Sequence, residues 1–244
     1  MINQLIHRAK LKTFNFLVHR RIDIPGSIGI EISTACNRRC HYCPQSVEPK
    51  KQKIIEKNVW EVFKIRIKEY KWKGATSIIK YNEPSLAPDS DRYVRELREL
   101  GCRPIIFSNG DKPDVVRKWC EAGAFSVIIT EHPPKKEYWL EKLLEVQRDY
   151  PTKIRIKKLS WIHNQAGKVE GERFDKCYNA DGLSINIDGS VSMCCVDYNS
   201  DYIMGDILNQ SFHDIWNNEN FRGIRQKVIK GIPATEMCKN CLTK

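Results

Sequence analysis

Three cysteines within eight residues constrain this chain more than any other feature of its sequence. Cys36, Cys40 and Cys43 are separated by three and then by two residues. Three thiolates this close together can hold three corners of a cubane [4Fe-4S] cluster, which normally takes four thiolate ligands. One iron would then remain open to a small molecule. Three buried structural cysteines and half of a zinc site are the alternative interpretations.

Strands and helices alternate along the chain before Cys177. Five strands are predicted, at residues 27–33, from Ser77 onward, and at 104–107, 125–130 and 154–157. Helical patterns of apolar residues separate them, and this alternation is typical of parallel βα units in an α/β fold. A sixth strand would have to follow the fifth at a place that the sequence does not define. Sites in such folds gather at the carboxyl ends of the strands, where the three cysteines also lie.

Polar segments follow three of the predicted strands. They are 80–84 (KYNEP), 108–110 (SNG) and Thr130-Glu131. Together with the Cys-x3-Cys-x-aromatic-Cys run, in which Tyr42 is the aromatic residue, these segments resemble the motifs of the radical S-adenosylmethionine (SAM) superfamily. The first segment matches the Glu-Pro of the family's Gly-Gly-Glu-Pro element and departs from it at the two glycine positions.

The resemblance implies a partial TIM-like (β/α) barrel of five to six parallel strands that binds a [4Fe-4S] cluster and SAM. Cys36, Cys40 and Cys43 would hold the cluster, and SAM would bind its open iron. The residues implied in SAM binding are Tyr42, Asn82, Glu83, Pro84, Ser108, Asn109 and Thr130. An electron from a donor such as flavodoxin or ferredoxin would cleave SAM to a 5′-deoxyadenosyl radical, which removes a hydrogen atom from the substrate.

A second group of cysteines lies in the last third of the chain. The run from Cys177 through Gly189 to Cys194 has the form Cys-x11-Gly-x4-Cys, and a Cys-x2-Cys pair lies near the C-terminus. This pattern resembles the SPASM/twitch extension of radical SAM enzymes, and its shortness implies one auxiliary [4Fe-4S] cluster. The implied ligands are Cys177, Cys194, Cys238 and Cys241, although Cys195 could replace Cys194. A four-cysteine zinc ribbon is the alternative.

The sequence divides into three predicted segments. Residues 1–27 form a basic amphipathic helix, residues 28–165 the radical SAM core and residues 166–244 the small cysteine-rich SPASM/twitch domain. In this last segment, Asp188-Gly189 predicts the turn of a β-hairpin. The N-terminal helix carries five Lys or Arg residues and no acidic residue in its first 22 positions. It could therefore expose a solvated basic face below the barrel or contact an acidic partner.

Composition excludes some classes of protein. No run of about 18 apolar residues is present, so we expect no transmembrane helix, and the N-terminus lacks the apolar core of a signal peptide. We therefore expect a cytoplasmic protein, in which clustered cysteines more often bind metal than form disulfides. The net charge of +11 permits nucleic-acid binding. A zinc-stabilised nucleic-acid-binding protein is thus a remote alternative, although no basic and aromatic stacking pattern supports it.

The two cysteine groups together predict a radical SAM oxidoreductase of the dehydrogenase type. An auxiliary cluster with four thiolate ligands could accept the electron of a substrate radical while a base takes a proton. Arg155 and Lys157 share one face of the fifth predicted strand, and either could relay this proton or bind the SAM carboxylate if that face lines the barrel. A surface position is the alternative for both, and His163 is a third candidate. The expected substrate is a small alcohol or amine, with peptide modification as the alternative.

Overall fold

The computed structural model describes residues 23–131, 137–158 and 162–243. The basic helix predicted at residues 1–27 therefore lies outside the described residues, except for residues 23–27. In the part of the chain that is described, no helix combines the length and the apolar character needed to cross a membrane.

The described strands form a single mixed sheet. They are β1 (Ser27–Ile30), β2 (Ala75–Ser77), β3 (Arg103–Ser108), β4 (Ser126–Glu131), β5 (Ile154–Lys158), β6 (Gly182–Ile185), β7 (Ser190–Ser192) and β8 (Ile203–Asp206). Their order across the sheet is β5-β4-β3-β2-β1-β6-β7-β8. Strands β1 to β6 pair in parallel, whereas β6, β7 and β8 pair in antiparallel fashion. The six parallel strands confirm the predicted α/β class and the partial barrel.

The sixth parallel strand, which the sequence did not place, is β6. It lies beside β1, on the opposite side from β2, and Gly29 pairs with Ser184. It is also the first strand of the predicted hairpin, because Ser184 pairs in antiparallel fashion with Ser192 across a turn in which Gly189 has a φ of 92°. One sheet therefore runs continuously from the predicted core segment into the predicted C-terminal segment.

Two strands have boundaries that differ from the predicted ones. Strand β1 ends at Ile30 instead of Ser33, because the Ile32 carbonyl accepts a hydrogen bond from the Ile55 N–H (2.9 Å) and the chain then follows residues 53–55. Strand β2 begins at Ala75 and ends at Ser77, where the prediction had it begin. The apolar residues that suggested a longer strand lead instead into the turn that carries the 80–84 segment.

Seven helices are described. They are α1 (Lys57–Glu69), α2 (Ser90–Glu99), α3 (Pro113–Glu121), α4 (Glu137–Asp149), α5 (Phe212–Asn217), α6 (Glu219–Val228) and α7 (Glu236–Cys241). Helices α1 to α4 connect successive parallel strands, and their apolar faces form the core with one face of the sheet. The indole of Trp60 is buried there, and its N–H donates to Glu96 (2.7 Å). A buried indole whose polar end is paired stabilises the core without an unsatisfied donor.

The other face of the sheet is concave, and on β1 and β2 it carries small side chains. Ile28 and Ile30 are fully buried in the core, so Ser27 and Gly29, which alternate with them, face the concave side. A Cβ atom at Gly29 would lie 2.9 Å from the Ser77 hydroxyl. The side chains of β1 and β2 on this face are therefore small, and a larger residue at Gly29 would require Ser77 to move.

Candidate active site

The loop after β1 brings three cysteine thiols to the carboxyl edge of the sheet. The Cys43 N–H donates to the Cys40 carbonyl (2.8 Å), and a short 3-10 turn at Pro44–Ser46 follows. The thiols of Cys36, Cys40 and Cys43 are partly buried and line one cavity of about 190 Å³. Among the described residues, no three Cys, His, Asp or Glu side chains converge closely enough to hold a single metal ion. The three thiols are thus spread around a cavity and not around a point.

Burial and mutual repulsion disfavour the charged forms of these thiols. Burial raises the pKa of Cys36. Burial also raises the pKa of Cys43 to about 11, and negative charge on Cys36 and Cys40 adds to the shift. Cationic iron would remove the repulsion, because a metal binds thiolates and displaces their protons. Three soft sulfur donors around one cavity therefore fit an iron–sulfur cluster that leaves one position for another ligand.

The same cavity contains nearly all of the predicted SAM contacts. Side chains at the ends of β2, β3 and β4 line it together with the cysteine loop. Those predicted from the sequence are Tyr42, Asn82, Glu83, Ser108, Asn109 and Thr130. Pro84 is absent from this lining and instead begins a short 3-10 turn at Pro84–Leu86. Motifs far apart in the sequence thus meet where the parallel strands end.

Glu83 joins the ends of two strands. Its carboxylate accepts hydrogen bonds from the Ser85 N–H (3.0 Å), the Ser108 hydroxyl (2.8 Å) and the Asn109 N–H (2.7 Å). Its side chain is buried, and burial raises its pKa although these hydrogen bonds oppose the shift. The resemblance suggested a role for Glu83 in holding a SAM cation. Its contacts indicate that it also fixes the loops that line the cavity.

We expect Glu83→Gln to loosen this cavity. The amide group would place an N–H₂ against donors, and each buried donor left unpaired costs about 1–3 kcal/mol. The free energy of unfolding in urea should therefore fall by about 1–3 kcal/mol, and SAM should bind more weakly to the reconstituted protein in calorimetry. Glu99→Gln, at an exposed position in α2, is the matched control. Equal stability of the two variants would contradict this role.

The second cysteine group lines a separate, largely apolar cavity. Its thiols belong to Cys177, Cys194, Cys238 and Cys241. The last two lie on α7, and the hydroxyl of its N-cap residue, Thr235, accepts from the Cys238 N–H (3.2 Å). Residues three apart on a helix share a face. Burial raises the pKa of Cys177 to about 11 and that of Cys241 to about 12, and negative charge on Cys238 adds to both shifts.

Cys195 faces a different part of the molecule. It is exposed into a third cavity, of about 330 Å³, on the concave side of the sheet between β1, β2 and β6. Cys194 lines the apolar cavity and Cys195 does not. This arrangement favours Cys194 as the member of the second group, as its spacing from Gly189 suggested.

Arg225 is a buried cation beside the second cysteine group. Only 1% of its surface is exposed, and it lines the apolar cavity. Its guanidinium lies 3.7 Å from the centre of the Trp216 ring and donates to the Trp216 carbonyl (2.6 Å). Burial lowers its pKa to about 10, so it remains charged at neutral pH. A positive charge here would favour binding of an anionic cluster.

Two of the candidate catalytic side chains lie on the concave face. Lys157 pairs with Thr130, which lines the first cavity, and Arg155 pairs with Ile128, the neighbour of Phe107. Paired residues of parallel strands share a face, so both cations point to the concave side, where they are exposed. His163 instead lines the apolar cavity and stacks on Phe174, with ring centres 4.5 Å apart.

Comparison with known proteins agrees with this geometry. Residues 30–169 match the radical SAM superfamily, and residues 177–242 match SPASM, an iron-sulfur cluster-binding domain. The chain therefore belongs to the radical SAM superfamily. It is 27% identical over 232 residues to the S-adenosyl-L-methionine-dependent 2-deoxy-scyllo-inosamine dehydrogenase of Niallia circulans, covering 88% of this chain and 91% of that relative.

Solved structures are similar over most of the chain. The crystal structure of BtrN in complex with AdoMet and 2-DOIA has a TM-score of 0.81 and 26% sequence identity, and the match covers 89% of this chain and 93% of BtrN. Streptococcus suis SuiB bound to its precursor peptide SuiA has a TM-score of 0.56 and 14% identity, over 91% of this chain and 70% of SuiB. This second likeness shows the fold alone.

The predicted class, fold and cofactors are confirmed. The chain is a radical SAM oxidoreductase that uses SAM, a [4Fe-4S] cluster and an auxiliary iron–sulfur cluster. The cluster and SAM together supply a radical that removes a hydrogen atom from the substrate, and oxidation is completed with the auxiliary cluster. The match to an iron-sulfur cluster-binding domain favours an auxiliary iron–sulfur cluster over a zinc ribbon in this segment.

Two cations near the cysteine groups were missed by the sequence reasoning. Lys80 opens the 80–84 segment, but the comparison with the family element drew attention only to the residues after it. Arg225 lies on an amphipathic helix and resembled any exposed cation of such a helix. The aromatic residues near it in sequence, Trp216 and Phe221, were the available signal, because guanidinium groups stack on aromatic rings.

Proposed function

We propose that this chain oxidises a small, ring-shaped alcohol or amine by two electrons. The observation that carries the proposal is the cavity of about 330 Å³ on the concave side of the sheet. It shares Lys80 and Phe107 with the cavity of the three thiols, and Cys195 opens into it beside Cys194 of the second group. A substrate there would lie between the site of hydrogen abstraction and the electron acceptor.

The residues of this chain form three functional sites. Cys36, Cys40 and Cys43 hold the cluster that binds SAM. The side chains that position SAM are Tyr42, Asn82, Ser108, Asn109 and Thr130, with Glu83 and Pro84 shaping the loop beneath them. The auxiliary cluster is held by Cys177, Cys194, Cys238 and Cys241. The basic side chains of Arg155 and Lys157, on the concave face, bind the SAM carboxylate or relay the substrate proton.

Atoms and electrons balance for an alcohol substrate. A C–H group of the substrate loses its hydrogen atom to the 5′-deoxyadenosyl radical, leaving a carbon radical beside the hydroxyl. The substrate then loses the hydroxyl proton to a basic side chain and one electron to the auxiliary cluster. The C–OH becomes C=O. One electron from a donor such as flavodoxin or ferredoxin begins each cycle, and one electron leaves through the auxiliary cluster.

The test of this proposal is an anaerobic screen with deuterated substrates. Reconstituted protein, SAM and dithionite would be incubated with aminocyclitols and sugars deuterated at the carbon that bears oxygen or nitrogen, and in parallel with deuterated peptides. We expect deuterium in 5′-deoxyadenosine and one ketone per 5′-deoxyadenosine formed. The relative named for 2-deoxy-scyllo-inosamine motivates this panel. Deuterium transfer from peptides alone would overturn the proposal.

We expect iron content to distinguish Cys194 from Cys195. Each cubane contains four irons, so the wild-type chain should hold about eight. Cys194→Ala removes a thiol of the apolar cavity and should lower the content to about four. Cys195→Ala alters only the concave cavity and should leave about eight. Iron and acid-labile sulfide, measured after anaerobic reconstitution, check both values. The reverse result would assign Cys195 as the ligand.

A further inference from the structure

Lys80 occupies a central position between the cavities. Its side chain lines both the cavity of the three thiols and the concave cavity. Its Nζ donates to Asn186 Oδ1 (2.6 Å), Ser192 Oγ (2.9 Å) and, more weakly, Ser200 Oγ (3.4 Å). All three acceptors belong to the C-terminal segment, whereas Lys80 follows β2 of the core. An ammonium group is therefore fixed at the junction of the two segments.

The contacts of Lys80 match a charged amine that stays in place. An ammonium group has three N–H donors and no acceptor, and three oxygen acceptors face it. Burial lowers the pKa of Lys80, while the negative charges of Glu31 and Asp197 oppose the shift and the positive charge of Lys50 adds to it. A neutral amine would leave one of the three oxygens without its donor. These contacts hold the proton on Lys80, which makes it a poor proton acceptor for a substrate.

The positive charge lies close to the second cysteine group. Ser192, which accepts a hydrogen bond from Lys80 Nζ, lies two residues before Cys194, and Cys195 lines the concave cavity together with Lys80. The reduction potential of an iron–sulfur cluster depends on nearby charge and on burial. Because reduction adds a negative charge, a fixed cation stabilises the reduced state more than the oxidised state.

We infer that Lys80 is a positioning residue that raises the reduction potential of the auxiliary cluster and so makes it an effective acceptor of the substrate's electron. This inference rests on the proposed function for the direction of electron flow. The reduction itself balances as one electron taken up by the cluster and one lost by the substrate radical. Lys80 keeps its proton throughout.

The test is a redox titration of two neutral variants, Lys80→Met and Lys80→Gln, followed by electron paramagnetic resonance. Glutamine retains donors for the oxygens of Asn186 and Ser192, so it separates loss of charge from loss of hydrogen bonds. We expect the equilibrium constant for one-electron reduction of the auxiliary cluster to fall about tenfold in both variants, which is 59 mV for a one-electron couple. Lys80→Arg should restore the wild-type potential, and Lys118→Met, at an exposed position of α3, should not change it.

Each outcome of this redox titration either supports or overturns the inference about Lys80. A lowered potential in Lys80→Gln with full iron content supports the inference. An unchanged potential in that variant, or loss of the auxiliary iron from both neutral variants, overturns it in favour of a purely structural role. The potential is measured without substrate, so it does not depend on the proposed oxidation. If the potential falls while no alcohol or amine is oxidised by the wild-type protein, the inference stands and the proposed function fails.

Discussion

Replacing Cys36 by alanine should abolish SAM cleavage. The loss should exceed about 100-fold, because even the outer partners of a metal ligand contribute about 10–100-fold. Iron content should fall from about eight to about four per chain, since only the cluster at the first cavity is lost. The measurement is 5′-deoxyadenosine formed from SAM and dithionite, by chromatography, beside iron analysis of the same sample.

Cys120→Ala is the matched control for this prediction. Cys120 is buried in the core on α3, away from both cysteine groups, so its replacement should leave iron content and SAM cleavage near the wild-type values. A Cys36→Ala protein that still produced 5′-deoxyadenosine at a comparable rate would show that the three-cysteine loop does not hold the cluster that binds SAM.

Replacing Cys238 by alanine should separate SAM cleavage from substrate oxidation. Cys238 lines the apolar cavity with the other three thiols of its group, so its loss should remove about four irons. The first cavity would be intact, and 5′-deoxyadenosine should still form within about threefold of the wild-type rate, a difference below about 1 kcal/mol. Ketone formation should fall more than about 100-fold, because the substrate radical has lost its electron acceptor.

The ratio of ketone to 5′-deoxyadenosine is the decisive quantity in the Cys238→Ala experiment. In the wild-type protein we expect one ketone for each 5′-deoxyadenosine, and in the variant nearly none. Circular dichroism would show whether α7 and the sheet are retained. A variant that is folded, contains about four irons and still yields one ketone per 5′-deoxyadenosine would exclude the auxiliary cluster as the electron acceptor.

The site was predictable where short motifs follow regular strands. Cys36, Glu83 and Asn109 lie far apart in the sequence, yet each lies in the segment that follows its own strand. Parallel strands bring such positions to one edge, and the structure places all three in one cavity. The parallel type of the first five strands was also predictable, because helical patterns of apolar residues alternate with strands in each βα unit.

Long-range pairing and buried charge were not predictable in the same way. Strand β6 has the local pattern of a hairpin strand, and nothing in that pattern shows that its other edge pairs with β1. Arg155 and Lys157 illustrate a second limit, since alternation shows that they share a face but not which face lines the barrel. Arg225 illustrates a third limit of prediction, because an arginine in an amphipathic helix is usually exposed. Its burial is evident only from its packing on Trp216 in the structure.

The pairing of β1 with β6 has a mechanical consequence. The loop that bears Cys36 leaves β1, and the hairpin that leads to Cys194 begins with β6, so peptide hydrogen bonds between neighbouring strands join the two redox regions. The distance over which an electron must tunnel between the two cysteine groups is therefore set by hydrogen bonds between neighbouring strands. Truncation of the chain before β6 would also remove an interior strand of the sheet. Strand β1 would then be an unpaired edge strand, which is prone to aggregation.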